Sequence, residues 1–306
     1  MATRRAFLQK LGIGAAALAA PESLLQANGL PSRPGLQLWS VKDELKKNPG
    51  AALHAIARIG FREIELYELP KDPAAFRRMC ANEGLVCTSG HFDMLTLRNR
   101  PTIDVAQELG MKYIIIVFPT LRAFKDRDTS AIEFHELSRM YEKISLDDYK
   151  WNAQQFNMYG EILNQLGLQL GYHNHAVDLK KFNGMAALDL LIQSTNPKFV
   201  VFEMDCGHVI HAGADPIQYL RKYPQRIQLL HLKDLVPGYS VSTTLDTEDK
   251  DTNSEIGAGS IDWKRLFSVA RKGDVKRMFI EHEGKMDRPH MEAIAASYRY
   301  IENILI

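Results

Sequence analysis

The chain has little of what marks several familiar protein classes. Its three cysteines, Cys80, Cys87 and Cys206, are too few and too scattered for a disulfide framework or a cysteine zinc site. They read as small apolar side chains. An excess of either charge is also missing, since 38 Lys and Arg against 37 Asp and Glu leave a formal net charge of +1. A nucleic-acid binder would present a clustered basic surface, so that class is set aside. No glycine-rich phosphate turn follows an early strand, which argues against a doubly wound dinucleotide-binding sheet. No apolar run reaches the roughly 20 residues that a membrane span needs, and no low-complexity tract appears. What remains, 306 residues at 45% hydrophobic and 25% charged, suits one large globular α/β domain.

The first residues do not belong to that domain. Thr3-Arg4-Arg5-Ala6-Phe7-Leu8-Gln9-Lys10 precedes the small, apolar stretch Leu11–Ala20. Paired arginines just ahead of Phe-Leu and a modest apolar region form a twin-arginine export signal, with a cleavage zone ending at Ala27. Residues 1–27 are therefore expected to be removed, residues 28–306 to fold, and the mature protein to be periplasmic.

From Pro34 onward, strand and helix patterns alternate. Strands are predicted at 35–41, 61–67, 85–92, 112–119, 168–175, 199–205, 227–234 and 277–283. Helices are predicted at 50–59, from Asp72-Pro73, at 102–109, 146–166, 185–194, 215–223, 262–273 and 291–305. Asp72 and Asp215, each followed by proline, supply the cap and first helical position. Residues 121–145 read as a long loop with partial helix, and 237–259 as a polar loop long enough to cover a site. Eight strand–helix units without a linker predict a single (β/α)8 barrel, which takes about 250 residues.

Such barrels build their active sites at the C-terminal strand ends. The stretch LQLGYHNHAVDL ends an apolar run in His173 and His175, which project to one side because strand residues alternate faces. Later strands deliver Glu203 and Asp205, His231 and Lys233, and Glu281 and Glu283; earlier ones deliver Gln37, Trp39, Glu65 and His91. Six of the ten histidines fall at or near these ends. Any one of them could be a hydrogen-bonded core histidine, and Asp205 alone could simply cap the following helix. Imidazoles and carboxylates together at equivalent ends instead suit a divalent ion, Mn, Co, Zn or Mg, with coordination positions left for substrate oxygens. His282, on the opposite parity to Glu281, reads as structural.

These segments resemble a known family. GLQLWSVKDELKKNP, GYHNHAVDL, FEMDCGHVIHAGADP, LLHLKDL, EIGAGSIDW and FIEHE are similar to the xylose-isomerase-like TIM barrels, specifically the sugar phosphate isomerase/epimerase group. In that group Glu, Asp, His and Glu from four successive strands hold one metal. The resemblance places the last three on Asp205, His231 and Glu281. The first falls on His173, where many relatives have Glu, and His175 competes for the same place. His208 matches a substrate-binding histidine of the epimerases, and Trp39, Glu65, His91 and Lys233 are expected to touch substrate as well. Homo-oligomers are common in the group.

The implied activity is a metal-dependent isomerase or epimerase of a sugar or keto-sugar, working through an enediolate that the metal stabilises. Glu281 is the expected base, and His175 the second acid/base in place of the missing glutamate. The runner-up is a lyase that carries out 1,2-elimination on 3-keto-glycosides, which suits an exported protein better than a phosphorylated sugar does. Abasic-site endonucleases share the barrel, but near-neutral charge and export count against that activity. A binding protein that has lost turnover is the remaining rival.

Overall fold

The computed structural model describes residues 29–125, 134–245 and 252–305. The twin-arginine segment lies outside the described residues, as do parts of both predicted loops. Eight parallel strands close into a barrel: β1 (Gly35–Gln37), β2 (Glu63–Leu66), β3 (Val86–Phe92), β4 (Tyr113–Ile116), β5 (Gln169–His173), β6 (Val200–Asp205), β7 (Ile227–Leu232) and β8 (Arg277–Ile280). Sequential strands are neighbours, and β8 returns to β1 with Gly35 opposite Phe279 and Leu36 opposite Ile280. The doubly wound alternative is thereby excluded, because an open sheet would leave two edges. No helix among the described residues is long and apolar enough to cross a membrane.

Strand parity sorts the side chains. Residues facing outward pack under the helices in the main core, among them Leu230 and Leu232 of β7 and Met278 and Ile280 of β8. Ile115, Val201, Leu229 and Phe279 form a separate buried cluster that fills the lower interior. Gly35 and Gly171 make room for this plug. A Cβ on Gly35 would stand 2.6 Å from the Phe279 ring, and one on Gly171 would stand 2.4 Å from Ile115 Cδ1. The next inward residue on four of these strands is polar: Glu203, His231, Glu281 and, beside Gly171, His173. Parity therefore changes the interior from apolar to charged within one step along each strand.

The helices are α1 (Lys42–Lys47), α2 (Pro49–Ile59), α3 (Pro73–Asn82), α4 (Arg100–Leu109), α5 (Phe134–Glu142), α6 (Leu146–Gln165), α7 (Ala187–Ser194), α8 (Cys206–His211), α9 (Pro216–Lys222), α10 (Trp263–Ala270) and α11 (His290–Leu305). Asn48, Asp72, Asp215 and Asp262 cap helices through their side chains, and Ser145 with Asp148 forms a full capping box on α6.

Several boundaries differ from expectation. The first strand stops at Gln37, and Leu38–Val41 turn as a 3-10 helix that carries Trp39 away from the barrel wall. Helix α1 was not anticipated, because KDELKK has too little apolar periodicity to signal one. The helix expected at 185 begins at Ala187, since Lys181–Phe182 and Met185–Ala186 pair as a small hairpin. Within the predicted polar loop, Asp234–Leu235 pair antiparallel with Asn253–Ser254.

Candidate active site

The side chains at the strand ends converge across the barrel mouth. Donor atoms of His173, Asp205, His231 and Glu281, from β5, β6, β7 and the end of β8, all lie within 4.8 Å of one another. Local structure explains each position. His173 is the last residue of β5, held opposite Glu203 of β6. Asp205 ends β6 opposite His231, and its Oδ1 accepts the backbone N–H of His208 at 2.7 Å, so one oxygen caps α8. The other, Oδ2, is buried without a hydrogen-bond partner and has His231 Nδ1, His208 Nε2 and Lys233 Nζ at 3.8 to 3.9 Å. His231 Nδ1 lies 3.1 Å from Glu281 Oε2.

This arrangement fits a divalent cation. Two imidazoles and two carboxylates are a common donor set for such ions. A buried carboxylate oxygen with no hydrogen bond is costly unless a cation faces it, and Asp205 Oδ2 meets that description. Burial and the neighbouring imidazoles hold His173 well below the usual histidine pKa, which keeps it neutral with a lone pair to offer. Burial would raise Glu281, but Lys233 and His231 outweigh it and hold the carboxyl well below its usual range. For His231, burial works downward and the carboxylates of Glu203, Glu281 and Glu65 pull the pKa well above its ordinary value.

A cavity of about 730 Å³ opens above this cluster. His91, His173, His175, His208, Lys233 and Glu281 line it, with Trp39 and Tyr67 toward the rim. Trp39 and Tyr67 meet edge to face at 5.5 Å, and Lys42 Nζ lies 3.4 Å above the Trp39 ring. His175 stacks on Phe118 at 4.1 Å between ring centres and tilts against His208 at 4.5 Å. Lys233 Nζ is paired with Glu283, lies 3.2 Å from His208 Nε2, and stands 3.6 Å from Glu281 Oε2.

One placement is corrected. Glu65, expected to touch substrate, is fully buried and does not line the cavity. It lies beneath the donors, accepting from Ser89 Oγ and from Gln37 Nε2 at 2.8 Å, with His231 Nε2 at 2.6 Å. His91, at 13% side-chain exposure, does line the cavity, but its Nε2 faces Glu65 at 3.2 Å and Glu203 at 3.4 Å. His282 is a structural residue: its Nε2 lies 3.0 Å from Ser297 Oγ, and its N–H is donated to Ser40. Sequence reasoning missed Ser89 and Phe118. Ser89 precedes His91 by two on β3, so parity could have found it. Phe118 is the aromatic that ends the apolar run of β4.

With this geometry established, comparison with known proteins is informative. The family model described as xylose isomerase-like TIM barrel matches residues 53–304. An inosose dehydratase of Clostridium botulinum is 23% identical over 245 residues, covering 71% of this chain and 76% of the relative. A sugar phosphate isomerase/epimerase structure from Parabacteroides distasonis superposes with a TM-score of 0.69 at 22% identity, covering 92% of this chain and 98% of the other. A xylose isomerase-like barrel from Mycobacterium smegmatis, solved in complex with magnesium, gives 0.62 at 16% identity, covering 89% and 96%.

Proposed function

The chain belongs to the xylose isomerase-like TIM barrel family, and from that premise we propose that it is a divalent-metal-dependent carbon–oxygen lyase. Its substrate would be a keto-sugar or keto-cyclitol that loses water, or an alcohol, β to the carbonyl. His173, Asp205, His231 and Glu281 would hold the cation, which would polarise the carbonyl and ease negative charge on its oxygen.

The observation that carries this reading is the side-by-side placement of a base and an acid. Glu281 Oε2 and Lys233 Nζ stand 3.6 Å apart on the same side of the cavity. Glu281 takes the proton from the carbon next to the carbonyl, and the released electron pair becomes a carbon–carbon double bond. The β carbon–oxygen bond breaks, and the Lys233 ammonium gives its proton to the departing oxygen. The products are an unsaturated ketone and water or an alcohol. The proton gained by Glu281 returns to Lys233 across that short gap. His175 and His208 hold the substrate hydroxyls.

Epimerisation shares the first proton transfer but needs a second carrier on the opposite face of the same carbon. The residue that would supply it in relatives is here His173, whose Nδ1 is already committed to Glu203 at 3.1 Å. This reverses the order of the two readings drawn from sequence alone. Eight listed-length comparisons are not needed for that step; the inosose dehydratase similarity supports it independently. No arginine lines the cavity among the described residues, which favours a non-phosphorylated substrate and agrees with the proposed periplasmic location.

The test is to incubate the protein, loaded with Mn, Co or Mg, with inosose and with a 3-keto-glycoside in D2O and follow both by NMR. Release of water or aglycone with an unsaturated ketone is expected. Deuterium entering with every carbon–oxygen bond intact would instead establish an epimerase, and no exchange in any substrate would defeat enolisation.

A further inference from the structure

The floor beneath the donor cluster contains two carboxylates that reach neither cavity nor solvent. Glu65 and Glu203 are each 0% exposed. Charges in such a place are costly unless their partners are specific. Glu65 Oε2 lies 2.6 Å from His231 Nε2, and Glu203 Oε2 lies 3.1 Å from His173 Nδ1 and 3.1 Å from His231 Nε2. Each imidazole of the donor set thus sets one ring nitrogen on a carboxylate below. Its other nitrogen is left for the side where Asp205 and Glu281 stand.

A carboxylate accepts hydrogen bonds, so the ring nitrogen that faces it carries the hydrogen. A neutral imidazole has only one such hydrogen, and its opposite nitrogen keeps the lone pair. We propose that Glu65 and Glu203 are positioning residues that fix His231 as the Nε2–H form and His173 as the Nδ1–H form, aiming both lone pairs at the shared cation position. The inference rests on the cation site proposed above. Outer carboxylates of this kind orient ligand histidines in many metal sites.

Glu65 is itself held in place. Ser89 donates to one of its oxygens and Gln37 Nε2 to the other. The Gln37 amide is oriented in turn, because its Oε1 accepts the N–H of Trp39 at 3.1 Å. The 3-10 turn that carries Trp39 to the rim therefore also fixes the polarity of the floor. Glu203 has a different neighbour: the His91 ring, whose Nε2 reaches both carboxylates.

Glu65→Gln and Glu203→Gln test the proposal, because an amide keeps the volume but can turn its NH2 toward the ring and demand the opposite form. Equilibrium binding of Mn(II) and Co(II) is expected to weaken ten- to hundredfold in each variant. In the cation-free protein, nitrogen NMR should show His173 as the Nδ1–H form, shifting toward Nε2–H in Glu203→Gln. A general loss of stability would lower the melting temperature without changing that form. Folded variants with unchanged cation affinity would overturn the proposal, as would a wild-type His173 in the Nε2–H form, a measurement that needs no variant. If the wild type takes up no divalent cation, the site reading fails; the His173 spectrum still decides whether Glu203 sets its hydrogen.

Discussion

A Cβ placed on Gly207 would stand 2.7 Å from Cγ of Lys233 and 2.9 Å from its Cδ. The first turn of α8 therefore presses on the stem of the residue assigned as proton donor. Gly207 does not have a positive φ, so alanine there fits the backbone and the conflict falls on the side chain. Gly207→Ala should push Lys233 out of line with Glu281 and lower kcat at least tenfold, since small misplacements at a reacting centre are expensive. Cation affinity should stay within about threefold of wild type, because no donor moves. Activity at wild-type level in a folded Gly207→Ala protein would remove Lys233 from the mechanism.

How much of this was legible beforehand depends on which physical rule set each feature. Parity placed His231 and Lys233 inside the barrel, because Leu230 and Leu232 on either side needed the apolar outside. It placed Glu65 inside as well, yet gave no depth. Depth comes from the stagger between strands, and a register shift between Ile64 and Glu65 sets Glu65 opposite Ser89. A carboxylate expected at the mouth thus became part of the floor. The hairpin before α7 was readable and overlooked: Asn183-Gly184 has φ of 52° and 84°, the left-handed pair that favours a tight two-residue turn. Helix α8 could not be read from Cys206–His211, because its six residues follow an aspartate whose capping oxygen competes with a ligand role.

Removing the cation should expose the cost of the site. Asp205, Glu281, Glu65 and Glu203 bring four carboxylates into one buried cluster, so an ion that binds only the folded state stabilises it by mass action. At a thousandfold excess over Kd the gain is about 4 kcal/mol. Melting with saturating Mn(II) and again with a chelator should show a clear fall in Tm for the wild type. Asp205→Asn should abolish most of that difference while leaving the chelated Tm unchanged or higher, because it removes one unpaired buried charge. Equal Tm values for the wild type with and without Mn(II) would contradict the assignment.

Gly160 offers a test of packing that is remote from the chemistry. It sits on α6, and an added Cβ would meet the backbone oxygen of Phe199 at 2.6 Å. That oxygen belongs to the entry of β6 and cannot swing aside as a side-chain tip would. Gly160→Ala should therefore cost about 1 to 3 kcal/mol, the usual penalty of overfilling a packed interface. The urea midpoint should fall accordingly, with kcat per folded molecule unchanged. A fall in kcat with an unchanged midpoint would show that α6 transmits strain to Asp205 at the other end of the strand.

Asp178 gives a prediction for pH. It is fully buried, receives the hydroxyl of Tyr149 at 2.9 Å and the N–H of His175 at 2.9 Å, and burial pushes its carboxyl up to about 6. A folded pKa above the unfolded value near 3.9 means that the folded state holds the proton more tightly between those two values. The contribution is fully present below about pH 4 and is lost as pH rises through 6. Asp178→Asn has no proton to lose there, so its stability lacks this slope. Urea unfolding of both proteins from pH 4 to 8 should show the wild type losing ground against the variant as pH rises, by up to about 3 kcal/mol. A difference that stays constant, or that grows in favour of the wild type with rising pH, would mean that the two hydrogen bonds outweigh burial and keep Asp178 ionised throughout.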